Sequence, residues 1–152
     1  MHSDICEQVK QAGVVGAGGA GFPTYAKFSG GVDTVVVNGA ECEPLLRVDQ
    51  QLMEQLPEQL IRGLEAVMQA TGAAEGVIAT KAKYKSGIAA LKQAMPRDRM
   101  RIHLLDDVYP AGDEHVTVFE ATGRLVPQGG IPLKVGCVVV NVETLVNAAA
   151  AL

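Results

Sequence analysis

The sequence predicts an α/β domain of three layers, a mainly parallel sheet with helices on both faces, and three observations point to it. Four short runs, VDTVVVN (32–38), GVIAT (76–80), MRIHLL (100–105) and VGCVVVN (135–141), are apolar and β-branched, as strands buried on both faces must be. Segments of helical period separate them, so each strand-to-strand connection is a crossover and neighbouring strands run parallel. The chain has 152 residues, 48% hydrophobic and 20% charged, which is one domain's worth with enough apolar side chain to cover a sheet.

Each element has its own signal. Ile5, Val9 and Ala12 lie at helical spacing behind Ser3 or Asp4 as N-cap, so a short amphipathic helix opens the chain at 4–12. GVVGAGGAGFPT (13–24) is a loop, with Pro23 placed to begin a new helix at its first turn. After the first strand and the turn GAECEP, residues 45–71 are helical in pattern. Pro57 marks a kink or a second helix start, and Gly72 a stop. Residues 84–95 carry Ile88, Leu91 and Met95 at helical offsets and end at Pro96; a short helix over 113–122 ends at Gly123. The Pro/Gly-rich VPQGGIPL precedes the last strand, and 142–152 is helical again. This last helix reaches the chain end without Gly or a cationic last turn, so 1–152 reads as a single domain at the front of a longer polypeptide.

Composition removes several function classes. Thirteen Lys and Arg against 17 Asp and Glu leave a net charge of −4 with no basic run, so the footprint of a nucleic-acid binder is missing. Three Tyr, three Phe and no Trp leave little for base stacking. No window approaches the ~18 apolar residues of a membrane span, and the opening MHSDICEQVKQ has no signal-peptide core, so the chain reads as soluble and cytoplasmic. Cys6, Cys42 and Cys137 lack CxxC spacing, and His2, His103 and His115 share no ligand spacing, so no disulfide framework or metal site is expected.

The chemistry-bearing residues fall at loops and strand ends. Gly16, Gly18 and Gly21 match G-x-G-x-x-G with Glu41 or Glu43 about twenty residues on, yet the strand that must precede a dinucleotide fingerprint is replaced by a polar helix. With Gly19, four of residues 16–21 are glycine, more than a connection between helices needs. Backbone without Cβ atoms lets a phosphate or planar ring lie against it. Asn38 and Asn141 end the first and last strands, each followed by carboxylates, Glu41 and Glu43 or Glu143. Ligands of open α/β sheets gather at such ends, and a carboxamide offers both a donor and an acceptor. An Asx-turn or helix cap accounts for either Asn alone. In YPAGDEH, Tyr109, Gly112, Asp113 and Glu114 sit where the third strand hands over to a helix, and the acids there serve capping or ligand contact equally.

GAGGAGFPTYAK (16–27), VVVNGAECEPLLRVDQQLM (35–53), DVYPAGDE (107–114) and VVVNVETL (138–145), in that order, closely resemble the flavin and NADH module of respiratory complex I. The likeness is closer to the Rnf-complex C-subunit and propanediol-utilisation cobalamin-reductase branch, which NGAECEP favours. The resemblance implies a Rossmann-like, complex I flavoprotein-type FMN-binding domain, an NADH-dependent flavoprotein oxidoreductase that accepts hydride and passes single electrons onward. The flavin then supplies the chemistry and the protein the positioning, so no catalytic side chain is named. It implies that Gly16, Gly18, Gly19 and Gly21 pack against the flavin and its phosphate region, with positive charge from Lys27. Asn38, Glu41 and Glu43 lie near the nucleotides; Tyr109, Gly112, Asp113 and Glu114 border flavin and nicotinamide. Phe22 stacks on the dinucleotide, and Asn141 with Thr144 closes the FMN phosphate end. The chain departs from the complex I pattern at Ala17 (Arg there), Ala40 (Asp), Asp113 (Glu) and Val140 (the first of two Asn). The branch continues into a β-grasp-type domain and [4Fe–4S] clusters absent from this sequence. Its partners are redox subunits or a corrinoid protein, and its setting is a membrane complex's periphery or a bacterial microcompartment.

Overall fold

The computed structural model describes residues 2–17, 21–43 and 45–152, with backbone alone at His2 and Ser3. Four strands, β1 (Thr34–Gly39), β2 (Glu75–Lys81), β3 (Met100–Leu105) and β4 (Cys137–Asn141), form one sheet in the order β3-β2-β1-β4, parallel throughout. The four expected runs are the four strands. Alternation within them feeds two cores. Val35, Val37, Ile78, Val138 and Val140 face one side, and Val36, Val77, Ala79, Cys137 and Val139 the other.

Both faces carry helices, unequally. α3 (Val48–Gln55), α4 (Pro57–Thr71), α5 (Lys85–Ala94) and α7 (Val142–Ala150) cover the first face, with α1 (His2–Gln11) and α2 (Thr24–Phe28) packed outside α4. The second face has α6 (Glu114–Thr122) and a 3-10 turn at Pro132–Val135. Crossover handedness accounts for this. The steps β1 to β2 to β3 run one way across the sheet and β3 to β4 runs back, so right-handed connections place α6 opposite α3, α4 and α5.

Local differences from the sequence reading have local causes. Ser3 and Asp4 lie inside α1 rather than capping it, and Asp4 accepts from Gln8 one turn on. Pro23 occupies the N-cap of α2 rather than its first turn. Pro57 starts a second helix, at the position where a missing N–H costs nothing. Residues 45–47 stay outside α3, with Leu45 at φ 70. Gly72 and Gly123 close α4 and α6 in the left-handed conformation, as expected.

Candidate functional site

Strand order reverses between β1 and β4, so the crevice at their carboxyl ends is the topological switch point of the sheet, where ligands of open α/β folds bind. Asn38 and Asn141, 103 positions apart in sequence, are register partners across that crevice. Each holds its own turn through Oδ1: Asn38 accepts from Ala40 N at 3.1 Å, and Asn141 accepts from Glu143 N at 2.8 Å as the N-cap of α7. Their amide groups reach further. Asn38 Nδ2 donates to Gly112 O at 2.8 Å, and Asn141 Nδ2 donates to Asp49 Oδ2 at 3.1 Å and Oδ1 at 3.3 Å.

The glycine loop closes over the β4 side of this crevice. Val15 and Pro23 form an antiparallel bridge, Gly16 N donates to Phe22 O at 2.8 Å, and Ala17 N donates to Thr144 Oγ1 at 2.9 Å. Gly21 at φ 66 occupies the region that L side chains avoid. Gly18 and Gly19 lie outside the described residues. Between loop and strand a cavity of about 110 Å³ is lined by Gly16, Ala17, Phe22, Thr24, Lys27, Asn141 and Thr144, with Val140. Thr24 is buried, and its hydroxyl has no hydrogen-bond partner among the described residues. Lys27 Nζ donates to Val139 O at 3.1 Å and lies 3.8 Å from Glu114 Oε1. It thereby joins this slot to an apolar cavity of about 320 Å³ against β4, bounded by Phe22, Ile131 and Leu133.

The remaining expected residues separate. Gly112 is pinned: its N–H donates to Cys42 Sγ at 3.1 Å, and a Cβ there would run into Ala40 O. Asp113 caps α6, accepting from His115 N at 3.0 Å and Val116 N at 3.1 Å. Glu41, Glu43 and Tyr109 line a third, polar cavity of about 580 Å³ at the ends of β1, β2 and β3, with Arg47, Lys81, Lys83 and Asp107. Asp107 Oδ1 takes Lys81 at 3.0 Å and its Oδ2 takes Lys83 at 2.6 Å, which holds the Asp107 carboxyl below its ordinary range. Burial is the strongest single influence on Lys81 and opposes its charge, but the hydrogen bond to Asp107 and the charges of Tyr84, Asp107 and Cys42 together outweigh it, and the Lys81 pKa is raised.

Residues 9–150 match the family described as the Nuo51 FMN-binding domain. The chain belongs to that family. It is 56% identical over 143 residues to the cobalamin reductase PduS of Citrobacter freundii, covering 94% of this chain and 32% of that one. It is 41% identical over 150 residues to the C-subunit of the Na(+)-translocating ferredoxin:NAD(+) oxidoreductase complex of Acetobacterium woodii, covering 95% and 34%. A crystal structure of NAD+-reducing [NiFe]-hydrogenase in the air-oxidised state superposes with a TM-score of 0.81 at 28% identity, over 99% of this chain and 30% of that chain. The chain thus spans about a third of the length of these curated relatives. The complex I-type flavoprotein fold expected from the motifs is the fold found.

The switch-point residues of this FMN-binding domain fit the cofactor. A buried hydroxyl without a partner among the described residues, a half-buried ammonium and loop backbone free of a Cβ atom at Gly16 converge on one slot. They offer what a phosphorylated, hydroxyl-bearing ribityl chain requires. Two residues here escaped sequence reasoning. Thr24 is the first residue of α2, directly after the Pro23 that marks the helix start. Asp49 is 6% exposed, facing inward from the first turn of α3. Burial first, then the charge of Glu41, push its pKa up to about 6 against the Asn141 hydrogen bond. Its signal was spacing: Asp49 and Met53, one turn apart, are the buried pair of α3.

Proposed function

We propose that this domain holds FMN at the β1/β4 switch point and serves NADH oxidation, with electrons leaving to iron–sulfur clusters outside the chain. The observation that carries the reading is the pairing, in register, of Asn38 with Asn141 beside a glycine loop tied to Thr144 and the unspent hydroxyl of Thr24. The chemistry FMN supplies when bound is two-electron acceptance from a dihydronicotinamide and one-electron release. Thr24, Lys27 and the backbone of Gly16 and Gly21 would bind the phosphate-bearing chain, together with Gly18 and Gly19. Asn141 and Thr144 would close that end, and Asn38 with Gly112 would set the floor of the crevice. Phe22 and the apolar cavity with Ile131 and Leu133 suit a planar base, Phe22 being half-exposed at its mouth. Glu114, held near Lys27, and the Glu41, Glu43, Tyr109 and Asp113 group would border the nicotinamide half.

The relatives differ in what their names say they act on, cobalamin in one and ferredoxin with NAD(+) in the other. The higher identity to the first favours a redox partner that delivers electrons to a corrinoid, in a microcompartment rather than at a membrane complex. No helix among the described residues is long and apolar enough to cross a membrane. The test is anaerobic: FMN is added to the chain, then NADH. Loss of the flavin's visible absorbance is the expected result. Flavin that binds but stays oxidised in a full-length protein would instead make this a nucleotide-binding or assembly module, and NAD binding without flavin a conventional dehydrogenase domain.

A further inference from the structure

We propose, resting on the FMN reading, that Asp49 is a positioning residue of the flavin site: it fixes the Asn141 carboxamide, and its negative charge weakens retention of the anionic cofactor. One continuous polar chain carries the first half of this. Both Asp49 oxygens lie 3.1–3.3 Å from Asn141 Nδ2, Asn141 Oδ1 accepts from Glu143 N at 2.8 Å, and in the next residue Thr144 Oγ1 accepts from Ala17 N at 2.9 Å. α3, the end of β4, the first turn of α7 and the glycine loop are therefore linked through three side chains and two backbone N–H groups, and such networks act as units. Shifting the Asn141 amide shifts the cap of α7 and with it the anchor of the loop.

The second half comes from what surrounds the carboxyl. No basic side chain among the described residues pairs with Asp49. The charged groups that act on it are two further carboxylates, Glu41 from the turn after β1 and Glu143 from α7. Burial and both neighbours oppose ionisation, which falls near pH 6, while the Asn141 hydrogen bond favours it. An amide at this position would accept from Asn141 equally well. What the carboxyl adds is a charge that switches close to neutrality beside a slot meant for a phosphate ester.

The experiment compares FMN dissociation constants, by quenching of flavin fluorescence, for the wild-type chain and Asp49→Asn between pH 5 and pH 8. FMN's own phosphate titrates in both proteins, so the ratio of the two constants isolates Asp49. Expected is a ratio near one at pH 5 that grows to about three- to tenfold in favour of Asp49→Asn by pH 8, the size of one like charge within ~10 Å. In parallel, the side-chain amide resonance of Asn141 in the flavin-free wild-type protein is followed by NMR and is expected to shift with a midpoint near 6. A ratio that stays constant with pH, or an Asn141 resonance that does not move, overturns the inference and leaves the flavin reading intact. Failure of both proteins to take up FMN at any pH defeats the flavin reading instead. The NMR titration of the flavin-free protein then still decides whether Asp49 governs the carboxamide, and it needs no variant to fold.

Discussion

The two ends of the sheet treat their charges differently. At the amino end, Asp33 takes Arg124 Nη1 at 2.6 Å and the Thr34 hydroxyl at 2.7 Å, and the Arg124 bond first, then Thr34, holds the Asp33 carboxyl below its ordinary value. Arg101 pairs with Glu75 at 2.7 Å and donates to Ala121 O, while Arg99 Nη2 donates to Ala73 O at 2.8 Å. At the carboxyl end, Asp49 is buried without a cation, Thr24 Oγ1 has no partner among the described residues, and Leu45 stands at φ 70 and 96% exposed. Ion pairs occur there too: Asp107 holds its lysines on the side of the polar groove away from β4, and beside β4 Lys27 and Glu114 make only a long, partly exposed pair at 3.8 Å. Polar groups left unsatisfied cost stability. One end of the same four strands is thus built to close the fold, and the other keeps binding capacity in reserve.

The largest expected effect tests whether the carboxyl end is one unit. In Gly112→Ala the new Cβ meets Ala40 O and comes within 3.0 Å of Cys42 Sγ, so the loop that holds Asn38 Nδ2 must withdraw. Thermal denaturation should show a loss of ~3 kcal/mol, the upper range for forced overpacking, and FMN affinity should fall at least about tenfold, the loss of one good hydrogen-bond anchor. Stability lost with affinity retained would separate the Asn38 half of the rim from the site.

The next effect has the opposite sign. A carboxyl whose folded pKa lies near 6, above its unfolded value of 3.8, contributes fully below the unfolded value and loses that contribution as pH rises through 6. At pH 8 the ionised Asp49 therefore costs up to ~3 kcal/mol. Asp49→Asn should be more stable than wild type by about that much at pH 8 and equal to it near pH 3, read by urea denaturation at each pH. A variant that is less stable at pH 8 would mean that Asp49 is paired like the acids of the amino end, and the contrast between the two rims would fail.

How much of this the sequence shows depends on range. The strands were visible because Val35–Val37 and Val138–Val140 are buried on both faces and need no context to be read as such. Helix ends at Gly72 and Gly123 were visible because backbone chemistry acts locally, whereas Pro57, equally readable as a kink or a start, was decided only by the structure. The register of Asn38 with Asn141 was not, since strand order is set by crossover handedness and total packing. Each Asn alone reads as a turn residue, and each does hold a turn. Asp49 was hidden because its first helical turn, VDQQ, looks like a solvated one; only the face that α7 and the β4 end cover makes it a buried acid. The glycine loop was noticed for its composition, whereas its anchor, Ala17 N on Thr144, spans 127 positions and no local pattern announces it.

A third, smaller effect isolates the unspent hydroxyl. Thr24→Val keeps the side chain's shape and removes a buried oxygen that has no partner among the described residues. Stability should rise by ~1 kcal/mol, the cost of one unsatisfied hydroxyl, while FMN binds several-fold more weakly because a hydrogen bond made only with the cofactor is lost. Calorimetry of the flavin-free and flavin-loaded chain measures both. Gain on one and loss on the other is what a reserved group must show; loss on both would make Thr24 an ordinary core residue.

The smallest effect belongs to the amino end. Arg124→Ala removes the partner of Asp33 and the donor to Val135 O at 2.8 Å. The pair is solvent-exposed, Arg124 at 37% and Asp33 at 59% of their side chains, so screening limits the loss to ~0.5–1 kcal/mol. Because Asp33's pKa is lowered, the pair stabilises fully above the ordinary carboxylate value and its contribution disappears as pH falls through the depressed one. Wild type and variant should therefore differ at pH 7 and converge in strong acid, with FMN affinity equal throughout. An affinity change would show that the amino end is not energetically separate from the switch point: Arg124 lines none of its cavities and reaches the apolar one only through Cys137, whose Sγ lies 3.6 Å from its Nη1. The coupling would then run either through Cys137 at the start of β4 or along β1, from Asp33 beside Thr34 to Asn38 at the far end of the strand, and Cys137→Ala tells the two apart.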